Sequence, residues 1–322
     1  MENKQKLLGQ IVSDLGLNAP FVKGETIKIK NCWHFSTDGN AVDQMFYDET
    51  DFIDGMNRIY VASLDYNITI LAFSLMDTHV HFILYGEFDE CNRFMHDYVK
   101  RTSRHISNRY QERHKFDGVP INHQQVDTDF YLKTVICYTV KNAPVAGLRH
   151  NALDYPWSSG PLYFKTPGLW CSPRWTDTRQ YDTCSSQMTL SWRRDVLKTR
   201  KQDSAEIRMI DRLIFPGEYV AYGIVEQIFK TCRSFNFFLC RTKEEDVDAR
   251  GGSISHLSIP MQEMRQHKNE ICKELFGANS IKGLTTEQRL RLARTMKARY
   301  NSSLKQIIRL SGLVYDEVKD RL

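Results

Sequence analysis

Two histidines separated by a single residue, His79 and His81, are the sharpest chemical feature of the chain. The residues around them are rich in β-branched and aromatic types, which favours a strand, and side chains two apart on a strand point to the same face. Both imidazoles can therefore reach one divalent metal ion while Val80 packs behind them. Paired histidines on a strand are also often only hydrogen-bonded, so a structural role stays open from the spacing alone.

A tyrosine and an asparagine, Tyr138 and Asn142, lie four residues apart on a predicted helix and so share one of its faces. Beside a divalent cation a tyrosine can act as a nucleophile, because the metal polarises a phosphate and the phenolate attacks phosphorus. The amide oxygen of Asn142 can supply a further metal ligand. The alternative is that Tyr138 is a core aromatic and that Asn142 only ends the helix before Ala143 and Pro144.

The elements that must position these side chains alternate between strands and helices. Hydrophobic periodicity and turn residues predict strands over 33–37, 66–75, 79–85 and within 118–126, and helices over 51–64, 94–110 and 129–140, the last capped by Asp127 or Thr128. This β-α-β-β-α-β-α order indicates an α+β fold, in which helices pack on an antiparallel sheet in a ferredoxin-like arrangement.

Three longer segments contain or follow the candidate residues. Phe73–Leu84 holds the His79-Val80-His81 triplet, Cys137–Leu148 runs from the tyrosine through Asn-Ala-Pro to Gly-Leu, and Asp154–Ser159 reads Asp-Tyr-Pro-Trp-Ser-Ser. In this order they resemble the histidine–hydrophobe–histidine (HUH) signature, the tyrosine helix and the following block of the REP-associated tyrosine transposases, which are single-tyrosine enzymes of the insertion-sequence type. The resemblance covers residues 33–160 and implies an HUH nuclease core.

The resemblance implies a metal-dependent DNA strand transferase. In that family two histidines and a polar residue one helical turn past the tyrosine hold Mg²⁺ or Mn²⁺. The tyrosine cleaves single-stranded DNA and stays attached to the 5′ phosphate, while a free 3′ hydroxyl is released. Carried over by position, His79, His81 and Asn142 are metal ligands and Tyr138 is the nucleophile. The expected partner is single-stranded or hairpin DNA. The family includes both homodimers and monomers, and the sequence leaves both states open.

Departures from the family pattern keep two rival functions open. Asp77-Thr78 stands where the family has Pro-Asn, an alanine separates Asn142 from Pro144, and a Gly-x-x-Trp-x-x-Arg-Phe stretch is not recognisable within 118–127. One rival is a domesticated protein that binds hairpin DNA without transposition. The other is a metal-dependent hydrolase that uses water as the nucleophile and in which Tyr138 is structural.

Two basic segments are candidates for contacts with DNA phosphates. The first is the helix after the histidine strand, which carries Lys100, Arg101, Arg104 and Arg109, although a solvated helix face is the plain alternative. The second is a C-terminal helix that carries Arg289, Arg291 and Arg294 and that a Thr285–Gln288 capping box can open. A short helix from 303 and a third helix near 314 follow, an order typical of a helix-turn-helix module. Acidic residues at 316, 317 and 320 in the would-be recognition helix count against that interpretation.

The chain of 322 residues is long enough for a main domain and appended pieces. We predict a transposase domain over 1–165, a middle region over 166–283 to which we assign no fold, and a helical module over 284–322 in a mostly helical C-terminal region. In the middle region the aromatic run Phe235-Asn236-Phe237-Phe238 is expected to be buried. Residues 1–165 carry 17 Lys and Arg against 20 Asp and Glu, a net of −3, whereas residues 166–322 carry 27 against 19, a net of +8.

Composition excludes several classes of protein. Hydrophobic residues make up 41% and charged residues 26%, which is ordinary for a globular protein and argues against global disorder. No apolar run is long enough to cross a membrane, and the eight cysteines show no metal-binding or Cys-x-x-Cys spacing. We therefore expect a cytoplasmic protein with reduced thiols and no membrane segment.

Overall fold

The computed structural model describes residues 2–18, 26–39, 41–42, 44–111, 116, 118–145, 150–164, 183–184, 189–199, 207–210, 212–242, 247, 261–300 and 304–314. Within the chain there are two compact units, Met1–Thr242 and Lys243–Leu322. In the described part no helix combines the length and the apolar character needed to span a membrane.

The first unit is built on a four-stranded antiparallel sheet with the strand order β2-β3-β1-β4. In chain order its elements are α1 (Glu2–Asp14), β1 (Cys32–Thr37), α2 (Glu49–Ser63), β2 (Thr69–Leu75), β3 (Val80–Tyr85), α3 (Phe88–Tyr110), β4 (Ile121–Gln125) and α4 (Asp129–Val145). The predicted α+β class and the predicted order of strands and helices are thereby confirmed. Membership of the core in the HUH nuclease family stays a prediction.

The two faces of the sheet carry different side chains, because neighbouring residues on a strand point to opposite sides. On β3, the Phe82 ring packs against Phe94 and Tyr98 of α3, with ring centroids 5.6 and 5.1 Å apart. The next side chain, His81, lies with its ring centroid 5.6 Å from that of Tyr138 on α4. Helices α3 and α4 therefore cover opposite faces, and the histidines share a face with the tyrosine helix.

Side-chain hydrogen bonds cap the N-terminal ends of α2 and α4. Asp48 is the N-cap of α2, and its carboxylate accepts from the backbone N–H of Asp51 at 3.2 Å. At the start of α4 the Thr128 hydroxyl accepts from the backbone N–H of Tyr131 at 3.3 Å. This contact confirms Thr128, of the two predicted candidates, as a capping residue.

The third of the sequence segments, Asp154–Ser159, is hydrogen-bonded along β2, which is an edge strand of the sheet. Tyr155 donates its hydroxyl to the carbonyl oxygen of Leu75 at 2.8 Å, and the Ser159 hydroxyl accepts from the backbone N–H of Phe73 at 3.1 Å. Tyr163 donates to the carbonyl of Leu71 at 2.7 Å. These bonds satisfy backbone groups that an edge strand would otherwise expose. The block thus fixes the strand that leads into the histidine turn.

The same unit continues beyond the sheet into a region for which the sequence indicated no fold. Its elements are α5 (Leu190–Leu197), a three-stranded antiparallel sheet of β5 (Thr183–Cys184), β6 (Arg208–Ile210) and β7 (Leu213–Ile214), and helices α6 (Tyr222–Phe229) and α7 (Cys232–Arg241). The expectation that the whole aromatic run of α7 is buried was wrong. Phe235 is fully buried, but Phe237 is 55% exposed, because successive helical residues point in different directions.

The second unit contains α8 (Met261–Phe276), α9 (Thr286–Tyr300) and α10 (Leu304–Ser311). Its core joins the three helices through buried residues that include Ile271, Leu290, Met296 and Ile307. The predicted capping box is confirmed, because the Thr285 N–H donates to Gln288 Oε1 at 2.9 Å and the Gln288 N–H donates to Thr285 Oγ1 at 3.3 Å. The predicted third helix lies, beyond Val314, outside the described residues, and the helix-turn-helix assignment stays a prediction.

Candidate active site

Three segments that are far apart in sequence bring their rings together on the α4 face of the sheet. The ring centroid of His81 on β3 lies 5.0 Å from that of His79, which stands immediately before the strand. His34 on β1 lies 5.3 Å from His81 and 5.9 Å from Tyr138. Tyr138 meets both of these rings edge to face, with interplanar angles of 75° to His34 and 89° to His81. The predicted nucleophile therefore lies beside one predicted ligand, His81, which in turn lies beside the other, His79.

The strand register explains why a third histidine joins the pair. In the antiparallel pairing of β1 with β3, Ser36 lies opposite His81 and His34 lies opposite Ile83. His34 is therefore a diagonal neighbour of His81 on the same face, within reach of a long side chain. His34 Nε2 and His81 Nδ1 are 3.0 Å apart, which is a hydrogen bond between two buried rings. His34 was not among the residues predicted from the sequence, in which its only signal is a histidine inside an aromatic strand.

Burial keeps the three imidazoles neutral. It lowers the pKa of His34 to about 4. Burial also lowers the pKa of His79 to about 4, against a smaller opposing effect of Asp38. For His81 burial, and then the proximity of His79 and His34, holds the pKa well below its usual range. Near neutral pH each ring therefore keeps a nitrogen lone pair, which is the form that binds a metal ion.

The environment of His79 leaves one of its ring nitrogens for another partner. Its Nδ1 lies 3.0 Å from Thr78 Oγ1. A Cβ atom placed on Gly39 would come within 2.9 Å of the same Nδ1, so a glycine is needed where this turn approaches the ring. Because a hydroxyl oxygen can accept the Nδ1 proton, the neighbourhood of His79 allows the tautomer in which Nε2 carries the lone pair.

Asn142 lies one helical turn beyond Tyr138 and is nearly buried. Its Nδ2 donates to the carbonyl oxygens of Tyr138 at 3.3 Å and of Thr139 at 3.2 Å. Carbonyl oxygens only accept, so the amide atom that faces them must be the nitrogen. The side-chain oxygen is therefore left for a different partner, such as a metal ion or a bound donor.

The donor chemistry of His79, His81 and Asn142 suits a divalent metal, and metal binding by them stays a prediction. Two neutral imidazoles and one amide oxygen leave further coordination positions for oxygen ligands, as Mg²⁺ and Mn²⁺ require. No group of three or more His, Cys, Asp or Glu side chains within the described ranges is arranged to hold a metal. A metal at this site would therefore depend on Asn142 or on the substrate for its remaining ligands.

The predicted DNA-binding residues of α3 lie away from this cluster, because α3 covers the opposite face of the sheet. Two of them are engaged in ion pairs. Arg101 contacts Asp97 at 2.7 Å and Asp65 at 3.3 Å, and Arg109 contacts Asp48 and Asp51 at 2.6 Å each. Lys100 and Arg104 are exposed, and Arg104, Arg101 and Arg109 line a cavity of about 330 Å³ together with Arg58, His105, Asn108 and Lys198. A role of these residues in DNA binding stays a prediction.

The predicted arginines of the second unit differ from one another. Arg289 is tied to its own unit, since Nε donates to the carbonyl of Leu284 at 3.2 Å and Nη2 donates to that of Ile281 at 3.4 Å. Arg291 and Arg294 are exposed on α9. The structure thus separates a structural arginine from two surface arginines, and DNA binding by all three stays a prediction.

Comparison with known proteins finds one similar solved structure. No protein-family model and no curated protein sequence matches the chain. The solved structure is described as a REP-associated tyrosine transposase bound to a REP hairpin. The similarity covers 60% of this chain and 99% of that chain, at 14% sequence identity and a TM-score of 0.33. A similarity at that TM-score assigns neither a fold nor a function to this chain.

Proposed function

We propose that this chain is a DNA strand transferase that cleaves single-stranded or hairpin DNA through a covalent tyrosine intermediate and rejoins it, as a transposase does. The observation that carries the proposal is the cluster of His79, His81 and Tyr138. Two sequence blocks that resemble the transposase motifs supply these residues. The ring centroid of His81 lies 5.0 Å from that of His79 and 5.6 Å from that of Tyr138.

The proposed reaction is a transesterification at phosphorus. The phenolic oxygen of Tyr138 forms a bond to phosphorus, the bond from phosphorus to the 3′ oxygen breaks, and that oxygen takes up a proton to leave as a 3′ hydroxyl. The phenolic proton is lost in the same step. Because a phosphodiester to the tyrosine replaces a phosphodiester within the strand, the energy of the broken bond is kept, and the 3′ hydroxyl of the same or another strand can reverse the step.

In the proposed reaction some residues would bind the metal and others would hold the reacting groups in position. His79, His81 and the side-chain oxygen of Asn142 would hold a divalent metal, Mg²⁺ or Mn²⁺, which when bound would neutralise charge on the phosphate. His34 orients the ring of His81 through the hydrogen bond between them. Helix α4 fixes Tyr138 and Asn142 one turn apart, so that the nucleophile and the amide oxygen stay in register.

The experiment that tests the proposal is a denaturing-gel assay for a covalent adduct. Pools of hairpin-forming DNA with single-stranded flanks are labelled at the 3′ end and incubated with the protein and Mn²⁺. Because the tyrosine keeps the 5′ phosphate of the downstream fragment, the label should migrate with the protein. The same pools labelled at the 5′ end should give a shorter free fragment with a 3′ hydroxyl.

Three variants define the controls. Tyr138→Phe and the double variant His79→Ala/His81→Ala should give neither adduct nor cleavage, whereas Tyr131→Phe, two turns earlier on the same helix, should behave as the wild type. Cleavage that persists in Tyr138→Phe without an adduct would mean that water is the nucleophile and that the chain is a hydrolase. Specific hairpin binding by the wild type with no cleavage in any pool would overturn the proposed transferase in favour of a DNA-binding protein.

A further inference from the structure

The pairing of α4 with α7 leaves an aromatic surface open to solvent. Phe130 on α4 is 50% exposed and Phe237 on α7 is 55% exposed. The ring of Phe238 connects them, with centroids 5.3 Å from Phe130 and 5.8 Å from Phe237. Single exposed phenylalanines are common, but a continuous group of three rings, two of them half-exposed, marks a surface for interaction.

The surface is held rigidly by the helices that carry it. Thr231 is the N-cap of α7, and its hydroxyl accepts from the backbone N–H of Ser234 at 3.1 Å. Phe235 anchors the buried side of the helix, and Lys141 of α4 donates to the carbonyl oxygen of Thr242 at 2.8 Å. The exposure of Phe237 is therefore built into two fixed helices, and no rearrangement is needed to present its ring.

On α7, arginines lie on both sides of the exposed Phe237 ring, at a spacing of four residues. Arg233, Phe237 and Arg241 are each four residues apart, so they lie along one face of α7. The Arg241 guanidinium lies 5.9 Å from the centroid of the Phe237 ring. Lys133 Nζ, which also pairs with Asp129 at 3.4 Å, lies 5.8 Å from the centroid of the Phe238 ring. Neither Arg233 nor Arg241 forms an ion pair with any residue that the structure describes, and α7 contains no acidic residue. The α7 face thus alternates cation, ring and cation.

We propose that this surface, defined by Phe130, Lys133, Arg233, Phe237 and Arg241 and here called the α4–α7 platform, binds single-stranded nucleic acid by stacking bases on the two exposed rings. Exposed aromatic rings accept any base, and flanking cations neutralise the phosphates between bases. Arg233 and Arg241 are about 12 Å apart along the helix, which spans more than one nucleotide. The alternation of rings and cations favours this ligand over an uncharged apolar partner.

The position of the platform gives it a place in the proposed reaction. Phe130 and Tyr138 share α4, eight residues or about 12 Å apart along the helix axis. A strand whose phosphate lies at Tyr138 can therefore reach the platform within a few nucleotides. This step rests on the proposed function, because it identifies the bound strand as the single-stranded DNA that flanks the cleavage point.

The α4–α7 platform is tested by measuring oligonucleotide binding under conditions that prevent cleavage. Fluorescence anisotropy is measured with the full chain, in the presence of EDTA, on a labelled oligothymidylate of about twelve nucleotides. A second probe has the same length but abasic sugars, so that it offers phosphates without bases. The wild type should bind the thymidine strand more tightly than the abasic strand, because only the former can stack.

Four variants separate stacking from charge. Phe130→Ser/Phe237→Ser should weaken thymidine binding at least ten-fold and abolish the preference over the abasic strand, whereas Phe237→Trp should keep that preference. Arg233→Gln/Arg241→Gln should weaken binding of both strands and flatten the salt dependence by about 0.7 per lost phosphate contact. Leu190→Ser, which removes another exposed apolar side chain of the same unit, is the matched control and should bind as the wild type.

Two outcomes would overturn the platform. One is thymidine binding by Phe130→Ser/Phe237→Ser that equals wild-type binding, at an unchanged melting temperature. The other is a wild-type dimer in sedimentation that this variant converts to a monomer, since the surface would then hold a second copy of the chain. Because no cleavage occurs in EDTA, either outcome leaves the adduct assay of the proposed function unaffected. Absence of an adduct would, conversely, leave the binding result standing.

Discussion

His34 Nε2 lies 3.0 Å from His81 Nδ1, and both rings are buried beside Tyr138. One nitrogen of this pair must donate and the other must accept, so the tautomers of the two rings are linked. If His81 donates its Nδ1 proton, its Nε2 carries the lone pair that a metal requires. This is the arrangement in which a residue behind a metal ligand fixes the tautomer and orientation of that ligand.

We expect that replacing His34 with phenylalanine weakens metal binding without removing a ligand. The ring of phenylalanine fills similar space but cannot accept the Nδ1 proton of His81, so the ligand tautomer is no longer fixed. Loss of such a partner typically costs 10- to 100-fold in metal affinity, and we expect a loss of about that size. Titration of Mn²⁺ followed by electron paramagnetic resonance measures it directly, independently of DNA cleavage.

His123→Phe is the matched control for this prediction. His123 stands on β4 of the same sheet, but its ring contacts Phe35 and Phe88 on the α3 face. Its replacement should leave Mn²⁺ affinity unchanged. Equal Mn²⁺ affinity of His34→Phe and the wild type would show that His34 does not position His81.

Substitutions of Asn142 should distinguish the role of its side-chain oxygen in metal binding from the role of its nitrogen in hydrogen bonding. Asn142→Asp keeps an oxygen ligand and adds charge, but it loses the Nδ2 donor to the carbonyls of Tyr138 and Thr139. Asn142→Leu loses both groups. We therefore expect Asn142→Asp to retain Mn²⁺ binding and Asn142→Leu to lose it at least ten-fold, while both variants melt below the wild type. Similar Mn²⁺ affinities for the two variants would remove Asn142 from the ligand set.

The fold and part of the site follow from the sequence for a physical reason. Strand and helix patterns are local, and so are the His-x-His spacing and the four-residue spacing from Tyr138 to Asn142, so a short window of sequence contains them. The role of His34 depends on the register of β1 against β3, which no local pattern specifies. The ion pairs of Arg109 with Asp48 and Asp51, at the start of α2, are long-range contacts as well. So is the ion pair of Arg101 with Asp65, which follows the end of α2. The exposure of Phe237 depends on how α7 packs on α4, and the aromatic run alone indicated the opposite.

The Asp51 carboxylate should be a determinant of stability that is lost in acid. Asp51 is fully buried and accepts hydrogen bonds from His105 at 3.0 Å, Arg109 at 2.6 Å and Tyr110 at 2.8 Å. Burial alone raises the pKa of Asp51, but these three hydrogen bonds outweigh it and lower the pKa below its ordinary value of 3.8. The stabilisation is therefore complete above pH 3.8 and is lost as the pH falls through the lowered pKa of the folded state.

Urea unfolding as a function of pH tests this role. We expect Asp51→Asn to lower the free energy of unfolding by about 3 kcal/mol at neutral pH, because it leaves buried donors without their charged partner. The difference from the wild type should shrink as the pH falls from 3.8 through the lowered pKa of Asp51, at which the carboxylate of the folded protein becomes protonated. Asp65→Asn, which removes the more exposed partner of Arg101, should cost less than about 1 kcal/mol. A difference between Asp51→Asn and the wild type that is constant with pH would show that the charge of Asp51 is not responsible.

The exposed arginines of α9 should contribute to DNA binding through charge alone. Arg291 and Arg294 face solvent, so the double variant Arg291→Ala/Arg294→Ala should fold as the wild type and bind a duplex-stem hairpin more weakly. Each lost phosphate contact should flatten the dependence of log affinity on log salt concentration by about 0.9. Lys273→Ala removes another exposed cation of the same unit and serves as the control for general charge effects. Arg289→Ala should instead lower the melting temperature, because its guanidinium bonds to carbonyls of its own unit. If Arg291→Ala/Arg294→Ala keeps both the affinity and the salt dependence of the wild type, the two arginines lie outside the DNA interface.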